Sequence, residues 1–121
     1  YNDQEFEWVS AFASHSYQYV RRLTKEERRN WGYAGIWEVA AIPTGKGSKP
    51  ALPVELPWRC MKMHSDPDSL ILEPFCGSGT SLIAAEQSGR RCFAMEDNPV
   101  QCDLTIMRWE QFTGEKARLV K

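Results

Sequence analysis

The run LILEPFCGSGTSLIAAEQSGRRCFAMEDN, residues 70–98, decides what kind of fold this chain builds. It opens on three consecutive aliphatic residues, Leu70, Ile71 and Leu72, the pattern of a short strand covered on both faces of a parallel sheet. An acid, Glu73, closes that strand, and Gly77-Ser78-Gly79 makes a tight turn. From Thr80 onward helix formers run to a stop at Gly89. A second short strand follows and ends on another acid, Glu96. Residues 99–114, PVQCDLTIMRWEQFTG, then read as a helix with Pro99 in its first turn. Its apolar positions Cys102, Ile106, Trp109 and Phe112 recur at helical spacing, and Gly114 ends it. The order is β-α-β-α, which predicts parallel strands joined by a right-handed crossover.

Upstream, residues 53–66 (PVELPWRCMKMHSD) carry Leu56, Cys60, Met61 and Met63 at amphipathic spacing. Pro57 suits the first turn there, where its missing N–H costs nothing, and the helix should stop before Asp66-Pro67. Residues 34–53 begin as a short apolar segment and dissolve into Gly, Pro, Ser and Lys, the composition of a loop. In residues 21–31 Thr24 and Glu27 have the spacing of a capping box for a short helix. The same stretch gathers Arg21, Arg22, Lys25, Arg28 and Arg29, which is either a solvated helix face or a contact surface for nucleic-acid phosphates. Residues 5–13, EFEWVSAFA, alternate partially and read as an edge strand. The tail, residues 115–121, either adds a strand or frays. The expectation is one α/β domain over residues 1–121. It is divided into a strand and basic segment (1–33), a loop (34–52), and a helix followed by the β-α-β-α core (53–121).

Composition is consistent with a single modest core: 121 residues, 42% hydrophobic and 26% charged. A net charge of −1 creates no global field toward nucleic acid or anionic lipid, so any phosphate contact has to come from a local patch. The four cysteines, Cys60, Cys76, Cys92 and Cys102, form no Cys-x-x-Cys pair, and the two histidines are far apart. That argues against a structural zinc site and for free thiols in a reducing, cytoplasmic setting. No apolar run reaches the roughly 18 residues of a membrane span. A chain that opens on Tyr1 suggests further sequence upstream.

The turn itself points to a ligand. A strand's carboxyl end meeting a helix's amino end is where open α/β sheets bind ligands, with unpaired helical N–H groups facing a crevice. Gly77 and Gly79 offer no side chain to block approach, while Thr80 and Ser81 supply hydroxyls. Glu96 follows Gly77 by 19 residues (96 − 77), the separation at which an acid in this topology reaches the two hydroxyls of a ribose. A dinucleotide fingerprint would want a third glycine where Leu82 stands, and a phosphate loop would need a lysine that is absent. Glu73 would repel a pyrophosphate yet accept hydrogen bonds from an amino group or face a cation. S-adenosylmethionine, with its ribose, sulfonium and α-amino group, matches both acids, and NAD matches one. For an isolated Gly-x-Gly a plain tight turn would suffice; strand, acid, Phe75, two glycines, hydroxyl-led helix and spaced acid together argue otherwise.

These residues closely resemble the carboxyl-terminal part of the amino-group DNA methyltransferases, the N6-adenine and N4-cytosine enzymes of restriction systems and prophages. LEPFCGSGT resembles that family's first motif, D-P-F-x-G-S-G-T, specifically. SKPALPVELPWRC resembles its tenth motif, H-P-x-x-K/F-P-x-x-L, loosely. The resemblance covers at least residues 37–117 and implies a partial Rossmann-like, S-adenosylmethionine-dependent methyltransferase fold with an N-terminal edge strand. It implies that Glu73 stands for the aspartate near the methionyl amino group and that Phe75 packs on the cofactor. Gly77, Ser78, Gly79, Thr80 and Ser81 would cradle it, Cys76 would be a small side chain beside it, and Glu96, with Asp97 next to it, would hold the ribose. Ser48 occupies the tenth-motif histidine position and Leu52 its Lys or Phe.

The family's chemistry also uses an Asp/Asn/Ser-Pro-Pro-aromatic tetrapeptide that binds the extruded base, and no such string occurs in these 121 residues. No catalytic residue is therefore assigned in this chain. The resemblance implies direct methyl transfer to adenine N6, or alternatively cytosine N4, without a covalent enzyme intermediate. Its implied partners are double-stranded DNA and either the rest of the methyltransferase fold or a second subunit, with no membrane and no metal. A catalytically incomplete module that binds cofactor, DNA or a partner chain is the competing expectation; a nicotinamide-dependent enzyme is a third.

Overall fold

The structure, a computed structural model, describes residues 9–10, 23–32, 37–40 and 52–120. Its first regular element, α1 (Lys25–Glu27), starts on the expected capping box. The Glu27 N–H donates to Thr24 Oγ1 at 3.1 Å and the Thr24 N–H donates to Glu27 Oε2 at 2.8 Å. Those reciprocal bonds satisfy two amides that a helix start leaves without partners. A π-type turn, Arg28–Gly32, continues the chain.

Helix α2 (Glu55–His64) has Pro57 inside its first turn and ends at Ser65, whose hydroxyl donates to the Met61 carbonyl at 2.7 Å. There follow β1 (Leu70–Glu73), α3 (Thr80–Gln87), β2 (Arg91–Ala94) and α4 (Pro99–Thr113). Strands β1 and β2 pair in parallel, from Leu70↔Arg91 to Glu73↔Ala94, so the β-α-β-α order read from residues 70–114 is the observed one. Asn98 caps α4 by accepting the Val100 N–H at 3.0 Å, and Gly114 ends it in left-handed backbone. Residues 115–120 form no strand. Of the edge strand expected at residues 5–13, only Val9 and Ser10 are described, and they carry no ladder. The remainder of it, with Arg21, Arg22, Ser48 and most of the loop expected at residues 34–52, lies outside the described residues.

The core lies on one side of the sheet. Met61, Ala84 and Ala85 are buried together, with Val54, Trp58, Ile71 and Cys92 packed against them. Ala84 and Ala85 have no exposed surface, because α3 packs against both α2 and the strands. Ala84→Leu should therefore cost about 1–3 kcal/mol by overpacking, read as a fall of several degrees in the circular-dichroism melting midpoint. Buried Arg90 ties the ends of α2 and α3, donating to the Ser65 carbonyl at 2.7 Å, the Ser65 hydroxyl at 3.1 Å and the Ser88 carbonyl.

Two expectations are corrected here. The aliphatic run at 70–72 predicts a strand covered on both faces, but only Ile71 turns into the core, while Leu72 is 68% exposed and its register partner Phe93 is 61% exposed. Successive side chains of a strand point to opposite faces, so the second face is apolar and open. In α4 the apolar stripe is only partly turned inward, with Cys102 and Trp109 half-buried. Thr105 is its buried residue, while Ile106 and Phe112 are exposed.

The segment before the core is tied to α2. Lys62 Nζ pairs with Glu27 Oε1 at 3.1 Å, and the Trp31 and Trp58 rings meet edge to face at 5.4 Å. The Arg59 guanidinium lies over the Trp31 and Trp37 rings, at 5.4 and 5.9 Å from their centroids, and is held by the Glu55 carboxylate. A cavity of about 530 Å³ beside this cluster, lined by Asn30, Trp31, Trp37, Glu38 and Arg59, therefore belongs with the packing of residues 30–31 and 37–38 on α2 rather than with the glycine turn.

Candidate functional site

The ladder between the strands runs past their ends into the turn. The Met95 N–H donates to the Glu73 carbonyl at 2.9 Å, and the Cys76 N–H donates to the Met95 carbonyl at 3.0 Å. This brings the two acids to one place. Glu73 Oε1 accepts the Phe75 N–H at 3.1 Å, and Glu96 Oε2 accepts the Gly77 N–H at 2.7 Å. Glu96 Oε1 takes the Asn98 N–H at 3.0 Å, so one carboxylate joins the turn to the start of α4. Both acids thus grip the same turn at amides two residues apart.

The two glycines serve different needs. Among the described residues, a side chain added at Gly77 (φ +53) would meet no atom within 4 Å, so they leave the space above it open. At Gly79 (φ +83) an added Cβ would lie 2.7 Å from Thr105 Cγ2 and 2.9 Å from its hydroxyl, so only hydrogen fits between the turn and α4. Gly79 also gives α3 no side-chain cap, leaving first-turn amides of Thr80, Ser81 and Leu82 without intrahelical acceptors. Phe75 stands beside the opening, 87% exposed. Ser78 and Ser81 are half-buried, Thr80 is buried, and Asp97 is exposed next to Glu96.

Electrostatics sort the acids from the thiols. Backbone N–H groups of Asn98 and then Gly77 hold the Glu96 carboxyl below its ordinary value, which favours its ionised form. Burial pushes the Cys76 thiol up, and the nearby Glu73 and Glu96 charges add to this against a hydrogen bond with Thr105. Burial, with Cys76 and Glu73, pushes Cys92 up to about 11. Neither sulfur is a thiolate near neutral pH, and Cys76 has no nucleophilic character at this turn.

Two residues of the site escaped the sequence reading. Thr105 Oγ1 donates to the Gly77 carbonyl at 3.0 Å. Arg108 Nη1 donates to the Ser78 carbonyl, to Ser78 Oγ at 2.9 Å and to Thr80 Oγ1 at 3.4 Å. The available signal was a hydroxyl and a guanidinium three positions apart, hence on one helix face, within an otherwise apolar pattern. Of the basic cluster, Lys25, Arg28 and Arg29 are exposed, and Arg28 also donates from Nε and Nη2 to the Leu23 carbonyl at 3.2 and 3.1 Å. Among the described residues no group of three or more His, Cys, Asp or Glu side chains is placed to hold a metal ion, and no helix is long and apolar enough to cross a membrane.

This turn, with its acids and its uncapped helix, lies within a match to the N6/N4 family of DNA methylases that spans residues 3–107. The chain belongs to that DNA methylase family. It is 30% identical over 91 residues to the type II methyltransferase M.BglI from Bacillus subtilis, covering 75% of this chain and 26% of that protein. With M.Cfr9I from Citrobacter freundii the identity is 27% over 111 residues, 89% of this chain and 36% of the relative. A DNA modification methylase from Thermus thermophilus, solved in complex with S-adenosyl-L-methionine, superposes with a TM-score of 0.62 at 34% identity, over 75% of this chain and 35% of its own. The chain thus spans 26–36% of these relatives, and its fold is a partial α/β, Rossmann-like methyltransferase fold.

Proposed function

We propose that this chain is the cofactor-binding portion of an amino-group DNA methyltransferase, with S-adenosylmethionine as donor and double-stranded DNA as substrate in the cytoplasm. The observation that carries the reading is the pair of carboxylates held by amides of one turn, beside open space above Gly77. Glu96, ionised and fixed by two amides, keeps lone pairs for the ribose hydroxyls. Glu73 is placed for the methionyl amino group, and the exposed ring of Phe75 is free to pack on the ligand. When bound, the cofactor supplies an electrophilic methyl group on its sulfonium; this chain's residues bind and orient it. Exposed Lys25 and Arg29 offer charge for DNA phosphates, and Arg21 and Arg22 are proposed with them.

The second reading rests on the absence of the Pro-Pro tetrapeptide from these 121 residues. On it, this polypeptide alone binds cofactor and does not transfer methyl groups. Isothermal titration should show S-adenosylmethionine binding and no NAD binding; the reverse pattern would end the methyltransferase reading for this site. Tritium transfer to duplex DNA, with N6-methyladenine and N4-methylcytosine separated chromatographically, distinguishes the two readings. Adenine is the first acceptor proposed and cytosine the second.

A further inference from the structure

We propose that Thr105 and Arg108 are positioning residues that hold the glycine turn in its binding shape, an assignment that rests on the turn being the cofactor site. A turn with two glycines is free to collapse, because glycine samples more backbone conformations than any other residue. The strands fix its beginning through Glu73 and Met95, and Glu96 fixes the Gly77 amide. What fixes its carbonyls is α4. The Thr105 hydroxyl takes the Gly77 carbonyl, and Arg108 takes the Ser78 carbonyl together with the Ser78 and Thr80 hydroxyls.

The consequence is directional. With the carbonyls of Gly77 and Ser78 drawn toward α4, the opposite side of the turn keeps the space that the described residues leave open at Gly77 and the first-turn amides of α3, which have no side-chain cap. A carbonyl swung into that space would present a negative dipole where Glu73 and Glu96 already concentrate negative charge. The cradle and the ribose acid also share a support: Glu96 accepts from Asn98, the cap of α4, and Thr105 and Arg108 sit two to three turns further along the same helix. All three contacts are made by one nitrogen, Nη1, which shares its two N–H groups among the Ser78 carbonyl and the Ser78 and Thr80 hydroxyls, and a lysine ammonium, a point charge on a more flexible stem, reproduces them only in part.

The test combines binding with the ligand-free turn, using the 121-residue chain. Arg108→Ala should weaken S-adenosylmethionine binding about ten-fold or more, the scale of losing a charged hydrogen-bonding group. Arg108→Lys should recover part of it, and the melting midpoints of both should stay close to the parent's. Thr105→Val, which keeps the methyl and loses the hydroxyl, should weaken binding, while Thr105→Ser should not. Amide exchange by NMR without ligand should quicken at Gly77 and Gly79 in Arg108→Ala and stay unchanged in β1 and β2. Equal affinity in Arg108→Ala and Thr105→Val would overturn the assignment, as would a loss of affinity fully matched by a loss of stability. If the parent chain itself binds no S-adenosylmethionine, the cofactor reading fails. The positioning role is then decided by exchange alone, since unchanged Gly77 and Gly79 rates in Arg108→Ala overturn it and selectively faster rates support it.

Discussion

Gly79→Val should unfold the turn and abolish cofactor binding, while Gly77→Ala should spare most of the stability. The two positions look alike in sequence and both have positive φ, so each substitution incurs left-handed strain of about 1–2 kcal/mol. They differ in what surrounds them. At Gly79 the first added carbon already lies 2.7 Å from Thr105 Cγ2, on a helix held by the Asn98 cap and the Arg108 bonds. Valine adds two more carbons, and overpacking of this kind costs about another 1–3 kcal/mol. A total of about 2–5 kcal/mol is a large share of the roughly 5–15 kcal/mol that keeps a domain folded. At Gly77 no atom of the described residues lies within 4 Å, so alanine there meets backbone strain and, on the proposed function, the ligand. Thermal melts should place Gly79→Val well below Gly77→Ala, and titration should find binding weakened in both and undetectable in the first. A Gly79→Val chain that melts with the wild type would show that α4 does not pack on the turn as described.

Much of this was legible because residues 70–114 punctuate themselves. Acid, Gly77-Ser78-Gly79, Gly89, Pro99 and Gly114 mark the ends of two strands and two helices, and apolar runs fill the intervals. Thr24 and Glu27 likewise announced α1, because a capping box needs only residues three apart. The inward face of α4 was different in kind. Its stripe of Cys102, Ile106, Trp109 and Phe112 obeys the helical period, yet the face that turns inward is chosen by bonds from Thr105 and Arg108 to a turn 28 to 30 positions earlier. Periodicity within one helix carries no information about such partners. The second face of β1 was misread for a related reason. Three aliphatic residues in a row do predict two apolar faces, and both are apolar, but whether Leu72 is covered depends on what packs there and not on Leu72. Among the described residues nothing covers that face, and Leu72 and Phe93 stay exposed.

Glu96→Gln should cost S-adenosylmethionine binding about ten- to a hundred-fold, although it changes one atom, because charged hydrogen-bond acceptors carry most of such an interaction. The carboxylate uses one oxygen for the Gly77 N–H and the other for the Asn98 N–H. Glutamine has one oxygen and one NH₂ group, so one of those amides would face a donor in place of an acceptor. Either the turn or the start of α4 then loses its anchor, and the ribose loses a charged acceptor. Glu96→Asp keeps the charge on an arm one carbon shorter, and should bind more weakly than the parent and better than the glutamine variant. The acid dependence follows from the lowered pKa. A carboxyl whose folded value lies below its ordinary 4.5 contributes fully above that ordinary value and loses its contribution as pH falls through the lowered one. Parental affinity should thus stay level from neutral pH down to the ordinary carboxylate range and fall below it. The difference between parent and Glu96→Gln should shrink over that same acid limb, since protonation makes the parent carboxyl a donor too. Measured by calorimetry across pH, a gap that persists unchanged into the acid would mean that Glu96 acts through its shape and not through its charge, and the ribose assignment would pass to another group.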